Sequence, residues 1–269
     1  MKRYMFSFFF IDTLRNILAA PLPPELATRE KQSIAEMLAL KHGREGLTEK
    51  LERYLSFKPP DICVVTEFHN MLLEANDAYI CGHLYPALTG ACSLGERILN
   101  ILILRLRDYF RSTGRFKEVC NKDSFQNWEN AISILMEWHV IPDGLGETYL
   151  GLEKNRQESI HFRELPAIEQ KAHEAIVQVN DIVDQLFGLK SDVLFDCGHL
   201  FVKKEKGEEP LVKKFYVPAC HLVGYKYKTE SRADGTIALI DEQAYEDREV
   251  TDEEWIRLRE DWLAQPPKS

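Results

Sequence analysis

Hydrophobic side chains recur every three to four positions through most of the chain as far as Gly188, which is the spacing of one face of an α-helix. The pattern predicts helices over residues 28–57 with a break at Gly43, and over residues 62–82, 84–112, 123–139 and 166–187. Residues 98–104 are almost all apolar, so we expect the helix over 84–112 to be buried on several sides. Together these segments predict a bundle of four or five helices.

Turn-forming and capping residues separate these segments. Lys58-Pro59-Pro60-Asp61 is the clearest linker and predicts a boundary before the bundle. Asp123-Ser124-Phe125-Gln126 offers a capped start for the helix that reaches His139, and Pro166 suits the first turn of the final helix. Helical spacing before the linker also predicts a short N-terminal helix docked on the body, with Phe10, Leu14, Ile17 and Leu18 on one face.

The pattern changes after Gly188 from helical spacing to short apolar runs. Residues 193–195, 200–202, 211–217, 223–227 and 237–240 have the length and composition of strands. Asp234-Gly235 is a hairpin signal between the last two of them. Thr251-Asp252-Glu253-Glu254 is a capping box for one more helix. The tail is therefore predicted to be a small antiparallel β unit closed by a helix.

These patterns place the chain in the mainly α class. The domain prediction is an N-terminal helical extension over residues 1–60, a helical bundle over 61–189 and a small α/β C-terminal unit over 190–269. A chain of 269 residues is long enough to bury a sizeable core in such an arrangement.

Charge and cysteine usage limit the binding partners and the cell compartment that we expect for the protein. The formal net charge of -9 disfavours nonspecific adhesion of the whole surface to nucleic acid or membrane, so any RNA contact needs a local basic patch. The six cysteines include no Cys-x-x-Cys pair, which is typical of a reduced cytoplasmic protein. Asp12 and Arg15 interrupt the apolar N-terminal run, so we expect neither a signal peptide nor a membrane span there.

The strongest chemical candidate is the pair Arg156 and His161 in the segment 147–163. Arginine stays cationic and holds phosphate through a planar fork of donors, while histidine exchanges protons near neutral pH. The two residue types together can cleave a phosphodiester without a metal. Positions five apart lie about 140° apart around a helix, so the segment bends or a second chain completes the site.

The motif and its surroundings resemble the HEPN superfamily. Arg156-Gln157-Glu158-Ser159-Ile160-His161 matches the Arg-x(4–6)-His motif that these proteins carry near the start of the final helix of a small bundle. Residues 87–99, with small side chains before Leu94-Gly95-Glu96-Arg97, look like the long second helix of that family. The similarity covers roughly residues 62–188. The residue after the arginine is usually Asn, Asp or His in the family, and here it is Gln157.

The resemblance implies an HEPN-like bundle and a metal-independent endoribonuclease used in bacterial antiviral defence or toxin–antitoxin systems. His161 would be the catalytic acid or base and Arg156 would stabilise charge on the phosphate, with RNA as substrate and no cofactor. Family members commonly build their RNA cleft between two subunits, so a homodimer is expected, and a protein partner or antitoxin is left open. Gln157 would support the site, and Glu96 would either pair with Arg97 or orient Arg156 across the bundle. The alternative is a non-catalytic HEPN-like module that senses a nucleotide, RNA or protein.

Two further groups of residues each allow two interpretations. Arg107, Arg111 and Arg115 step by four residues, which is either a solvated helix face or a track for an RNA backbone. Cys197, His199, Cys220 and His221 are either small buried side chains or the ligands of a structural zinc ion. Their irregular spacing favours the former, so no metal site is assigned. Neither G-x-x-x-x-G-K-[ST] nor G-x-G-x-x-G is present.

Overall fold

The structure, a computed structural model, describes most of the chain between residues 23 and 187 and short segments outside it. The described residues are 3–5, 23–60, 68–124, 127–142, 144–160, 167–187, 193–196, 199–202, 227–231, 237–241 and 248–250.

Helices dominate the described residues, which confirms the mainly α class. Within them the α-helices are α1 (Pro24–His42), α2 (Leu47–Ser56), α3 (His69–Ile80), α4 (Leu84–Leu106), α5 (Phe116–Val119), α6 (Trp128–Glu137), α7 (Leu145–Ile160) and α8 (Ile168–Phe187). A short 3-10 helix, Arg107–Phe110, follows α4 directly.

The described strands form two-stranded antiparallel ladders. They are β1 (Arg3–Met5), β2 (Val193–Asp196), β3 (His199–Val202), β4 (Tyr227–Ser231), β5 (Ile237–Asp241) and β6 (Arg248–Val250). Strand β1 pairs with β6, β2 with β3, and β4 with β5. Residues 251–269, which include the predicted closing helix, lie outside the described residues, as does the predicted N-terminal helix face at Phe10 to Leu18. The C-terminal β unit as a whole therefore stays a prediction.

The chain divides into two compact units. One contains the helices from α1 as far as residue 186, and the other contains the described strands. Helices α1 and α2 thus belong to the same unit as the later helices. The predicted division at residues 60 and 189 stays a prediction.

The helix ends follow the turn residues only in part. Gly43 and Gly46 have positive φ angles of 79° and 60°, which glycine adopts without steric cost, and they confirm the predicted break between α1 and α2. The predicted helix over 84–112 is shorter, because α4 ends at Leu106 and passes into the 3-10 turn. The capped start predicted at Asp123-Ser124-Phe125-Gln126 is also wrong: α6 begins at Trp128, where the Asn127 side chain accepts a hydrogen bond of 2.9 Å from the backbone N–H of Asn130.

Helix α4 is the central helix of its unit. Its residues Leu88, Leu94, Ile98 and Ile103 are fully buried. By length and composition the stretch Leu84–Phe110 is the one membrane-span candidate in the described part of the chain, but more than half of its apolar 18-residue window is buried inside the protein. That burial is expected of the core helix of a soluble protein.

Two buried amides join α3 to α8. Asn76 donates to Oδ1 of Asn180 at 3.1 Å, and Asn180 donates back to Oδ1 of Asn76 at 2.8 Å. Asn180 also donates to the backbone oxygen of Ile176 at 2.8 Å. Because each buried amide has a partner, the pair fixes the register of the two helices without leaving a polar group unsatisfied.

Replacing His139 by glycine is expected to stabilise the protein. Helix α6 ends in a Schellman turn, in which the N–H of His139 bonds Met136 and the N–H of Val140 bonds Leu135. His139 takes the left-handed position with a φ of 54° and its side chain is exposed. Relieving that strain should add roughly 0.5–1 kcal/mol to the free energy of unfolding measured in urea. The His139→Ala control keeps the strain, and a glycine variant no more stable than this control would contradict the expectation.

Candidate functional site

The candidate site lies where α4 and α7 pack closely against each other. Gly95 of α4 faces Leu152 of α7, and a Cβ built on Gly95 would overlap Cδ2 of Leu152. The same Cβ would lie 3.5 Å from the ring of Trp128. Because Leu152 and Trp128 are both buried, only a residue without a side chain allows this approach. The close packing places the next residue of α4, Glu96, within reach of α7.

Glu96 and Arg156 form a two-point ion pair across this contact. Nε of Arg156 lies 3.0 Å from Oε2 of Glu96, and Nη2 lies 3.2 Å from Oε1. The Glu96 side chain is 26% exposed and the Arg156 side chain 32% exposed, so solvent screens the pair only partly. The sequence allows Glu96 to pair with either Arg97 or Arg156, and the structure shows the pair with Arg156. The paired geometry fixes the plane of the guanidinium.

The ion pair leaves one edge of Arg156 available. A guanidinium has five N–H donors, and Glu96 takes one on Nε and one on Nη2. The other donors, on Nη1 and Nη2, make no hydrogen bond within the described residues. Arg156 can therefore stay oriented by Glu96 and still offer a fork of donors to a phosphate.

Glu153 adds a second carboxylate one turn before Arg156. Burial raises the pKa of Glu153 above its usual range, and the negative charge of Glu129 raises it further. A hydrogen bond from the Gln157 side chain and the charge of Arg156 partly oppose that rise in pKa. The amide of Gln157 is thus held by its own helix at the i,i+4 spacing. Acidic groups flank Arg156 on both α4 and α7.

Cys92 lies close to the ion pair and is unreactive. Its Sγ donates to the backbone oxygen of Leu152 at 3.6 Å, and its side chain is buried. Burial raises the pKa of the Cys92 thiol to about 12, with Arg156 lowering it and Glu96 raising it. The thiol is therefore protonated at neutral pH and serves as part of the core.

Contacts with α8 and within the last turn of α7 hold the segment around Arg156. Asn155 donates to Oε1 of Gln178 at 3.3 Å, and Lys171 forms an ion pair with Glu158. The Ser159 hydroxyl donates to the backbone oxygen of Arg156 at 2.8 Å. Arg156 therefore projects from a backbone that α4 and α8 both fix.

His161, the predicted acid–base residue, lies outside the described residues. Helix α7 is described as far as Ile160, the position before it. The catalytic pairing of Arg156 with His161 accordingly stays a prediction. Cys197, Cys220 and His221 also lie outside the described residues, and His199 is described only as part of the β3 backbone. Among the described residues no cluster of three or more His, Cys, Asp or Glu side chains is placed to hold a metal.

The predicted arginine stripe does not lie on an α-helix. Helix α4 ends at Leu106, so Arg107, Arg111 and Arg115 fall in the 3-10 helix and the turns that follow. Their spacing of four therefore does not align them on one face, and the geometric reason for an RNA track is wrong. Their role in RNA binding stays a prediction.

Each of the three arginines has a local partner. Arg107 donates to the backbone oxygens of Val119 at 2.8 Å and Lys122 at 2.7 Å. Arg111 pairs with Asp108 at 3.0 Å. Arg115 pairs with Glu118 at 3.0 Å and Glu137 at 3.2 Å, and donates to the Ser133 hydroxyl at 2.8 Å. These contacts hold the segment between α4 and α6 in place, which is a structural role.

Sequence reasoning missed Glu153 and Gly95 as members of the site. Glu153 stands four residues before Gln157, so the i,i+4 spacing was a signal for the hydrogen bond. Gly95 sits within an otherwise apolar helix, and an isolated helical glycine is a signal for close packing. Neither signal identifies the partner helix.

The chain matches no protein-family model, no curated protein and no solved structure.

Proposed function

We propose that the chain is a metal-independent endoribonuclease of the HEPN type. The observation that carries the proposal is the partly exposed guanidinium of Arg156. Glu96 orients it through Nε and Nη2, and its other N–H donors are not used by Glu96. A pre-oriented fork of donors stabilises charge that develops on phosphorus oxygens at little entropic cost. The rest of the support comes from the sequence resemblance over residues 62–188.

The proposed mechanism divides the work between two side chains. His161 takes the proton from the RNA 2′-hydroxyl, which attacks the adjacent phosphorus, and a proton is then returned to the leaving 5′-oxygen. Arg156 binds the nonbridging oxygens as their negative charge grows. Glu96 holds Arg156 in place and touches no substrate. The products are a 2′,3′-cyclic phosphate and a 5′-hydroxyl.

A specific observation favours the alternative of a non-catalytic binding module. Glu96 partly neutralises Arg156, and the Gln157 amide is engaged by Glu153. Two carboxylates close to one arginine weaken its attraction for a phosphate. In that case the chain binds a nucleotide, an RNA or a protein through the same surface and leaves RNA uncut.

Cleavage of mixed RNA in excess chelator separates the two proposals. The purified full chain is incubated with RNA in EDTA, and the Arg156→Ala, His161→Ala double variant serves as the control for contaminating nucleases. The ribonuclease proposal expects cutting by the wild type that chelator does not reduce and that the double variant lacks. RNA that is bound but intact in every condition would favour the binding module.

We further propose a homodimer with the two motifs facing one cleft. Arg156 and His161 are five positions apart, and on a continuous helix they would point about 140° apart. A two-fold axis brings a second copy of each residue into the same cleft. Sedimentation over a dilution series is expected to give twice the chain mass, with RNA shifting the equilibrium toward the dimer. A fully active species with the mass of one chain would contradict the shared cleft.

The proposed setting is the bacterial cytoplasm, in antiviral defence or a toxin–antitoxin pair. It rests on the resemblance and on the reduced-type cysteine usage. Expression of the wild-type chain in a bacterium should then slow growth, and the Arg156→Ala chain should not. Equal growth with both chains would contradict a toxin role.

A further inference from the structure

A cysteine, a histidine and an aspartate meet where α1 and α3 end. Cys81, the C-cap of α3, has its Sγ 3.4 Å from Nδ1 of His42, the last residue of α1. Nε2 of the same imidazole lies 3.5 Å from Oδ1 of Asp77. Lys41 holds that carboxylate oxygen at 2.7 Å. The order thiol, imidazole, carboxylate is the one used by nucleophilic cysteines.

The imidazole of His42 is enclosed, and the carboxylate beside it favours one tautomer. The side chain is 9% exposed, and its Nε2 is buried without a hydrogen-bond partner among the described residues. Lys50 donates to the backbone oxygens of His42 at 2.8 Å and Gly43 at 3.2 Å, which fixes the end of α1. With Asp77 facing Nε2, we assign the ring proton to Nε2, and Nδ1 is left to accept a proton from the thiol.

The charges around the thiol are mostly positive. Lys41 on α1 and Lys50 and Arg53 on α2 face it, against Asp77 on α3. The Arg53 guanidinium lies 2.9 Å from where a Cβ on the neighbouring Gly82 would stand. Arg53 is also paired with Glu169 of α8 at 3.3 Å, which reduces its field. An anionic reactant is therefore attracted to this position more than a neutral one.

Burial keeps both reacting groups neutral before the reaction. Burial raises the pKa of the Cys81 thiol, opposed chiefly by Lys50. Burial also lowers the pKa of His42, opposed by Asp77. Near pH 7 a protonated thiol accordingly faces a neutral imidazole that can accept its proton.

We propose that Cys81, His42 and Asp77 form a reactive-thiol site that undergoes thiol–disulfide exchange with small anionic disulfides. Sγ of Cys81 forms a new bond to one sulfur of the disulfide, and the bond between the two disulfide sulfurs breaks. The second sulfur leaves as a thiolate. The thiol proton passes to Nδ1 of His42 and then to the leaving thiolate, so no oxidant other than the disulfide is consumed. Asp77 is a positioning residue that acts through His42.

Cys120 is a matched control within the same chain. It too is partly exposed and caps the end of a helix, α5. Its Sγ donates to the backbone oxygen of Lys117 at 3.7 Å, and in the described part of the chain no imidazole contacts it. A difference in reactivity between the two thiols therefore reports the imidazole and the surrounding charge rather than exposure.

The test labels the full chain with a small amount of the dianionic disulfide dithiobis(nitrobenzoate) and measures each cysteine peptide by mass spectrometry. Cys81 should react at least about 10-fold faster than Cys120, because general-base assistance contributes roughly 10²–10⁴-fold. Between about pH 7 and 8 the Cys81 rate should stay nearly constant, because a neutral imidazole is in place to accept the thiol proton over that range. Equal rates for the two cysteines, or a Cys81 rate that rises about 10-fold between pH 7 and 8, would overturn the proposal.

Two variants and a second probe complete the test. His42→Gln should lower the Cys81 rate at least about 10-fold and leave Cys120 unchanged. Asp77→Asn should lower it less and make the Cys81 rate more dependent on pH. Neutral dithiodipyridine should discriminate between the two cysteines less than the anionic probe, a comparison that needs no variant. An unchanged Cys81 rate in a folded His42→Gln chain, or equal selectivity for both probes, would contradict the site.

Discussion

Replacing Arg156 by alanine is expected to lower the rate constant for RNA cleavage by about 100- to 1,000-fold, the usual cost of removing one donor from a charge-stabilising site. The fold should be retained, because removing one partner of a partly exposed ion pair costs less than the roughly 3–5 kcal/mol of breaking a fully buried one. Cleavage of a labelled RNA under single-turnover conditions measures the effect on the chemical step.

Four companion variants show whether the loss is catalytic. His161→Ala should cost at least as much as Arg156→Ala, and the double variant little more, since the two act as one unit. Arg156→Lys keeps the charge but not the planar fork and should recover only part of the rate. Glu96→Gln should cost less than Arg156→Ala, because it loosens Arg156 without removing it. Wild-type rates in the Arg156→Ala chain would show that another site cuts RNA.

Replacing Gly95 by alanine is expected to destabilise the protein by roughly 1–3 kcal/mol, although alanine is the better helix former. The new methyl group would overlap the side chain of Leu152, which is fully buried. Helices α4 and α7 must separate to relieve the overlap, and Glu96 moves away from Arg156 as they do. The free energy of unfolding in urea measures the first effect, and RNA cleavage by the folded fraction measures the second.

Gly90→Ala is the matched control, on the same helix and five residues earlier. A Cβ there would lie 3.5 Å from the Cβ of Ala75, an ordinary contact. Helix propensity then acts alone, so this variant should be stabilised by up to about 1 kcal/mol. Equal effects of the two substitutions would show that the α4–α7 contact at Gly95 is not close enough to shape the site.

The sequence predicted where most helices lie, because their burial follows the spacing of apolar residues. The break at Gly43 was predicted from a single glycine and confirmed by its φ of 79°. Helix ends were less predictable. The run through Arg111 keeps helical spacing, yet α4 stops at Leu106, where Arg107 turns to bond two backbone oxygens of a later segment. That stop depends on tertiary contacts that local periodicity does not encode.

The candidate site was predictable by residue type but not by pairing. Arg156 was identified from its motif, and the choice between Arg97 and Arg156 for Glu96 was left open. The answer depends on how closely two helices pack at Gly95 and Leu152, which are 57 positions apart in the sequence. The Cys81–His42 contact joins residues 39 positions apart and has no local signature. Only the fold brings such groups together.

The ends of the RNA fragments test the central claim most directly. Wild-type chain in EDTA should cut a defined RNA to give a 2′,3′-cyclic phosphate on one fragment and a 5′-hydroxyl on the other. A single 2′-deoxy nucleotide 5′ to the cut should abolish cleavage at that position alone, because the attacking hydroxyl is missing. Fragments with a 3′-hydroxyl and a 5′-phosphate, or undiminished cutting beside the 2′-deoxy nucleotide, would contradict 2′-hydroxyl attack and with it the proposed roles of Arg156 and His161.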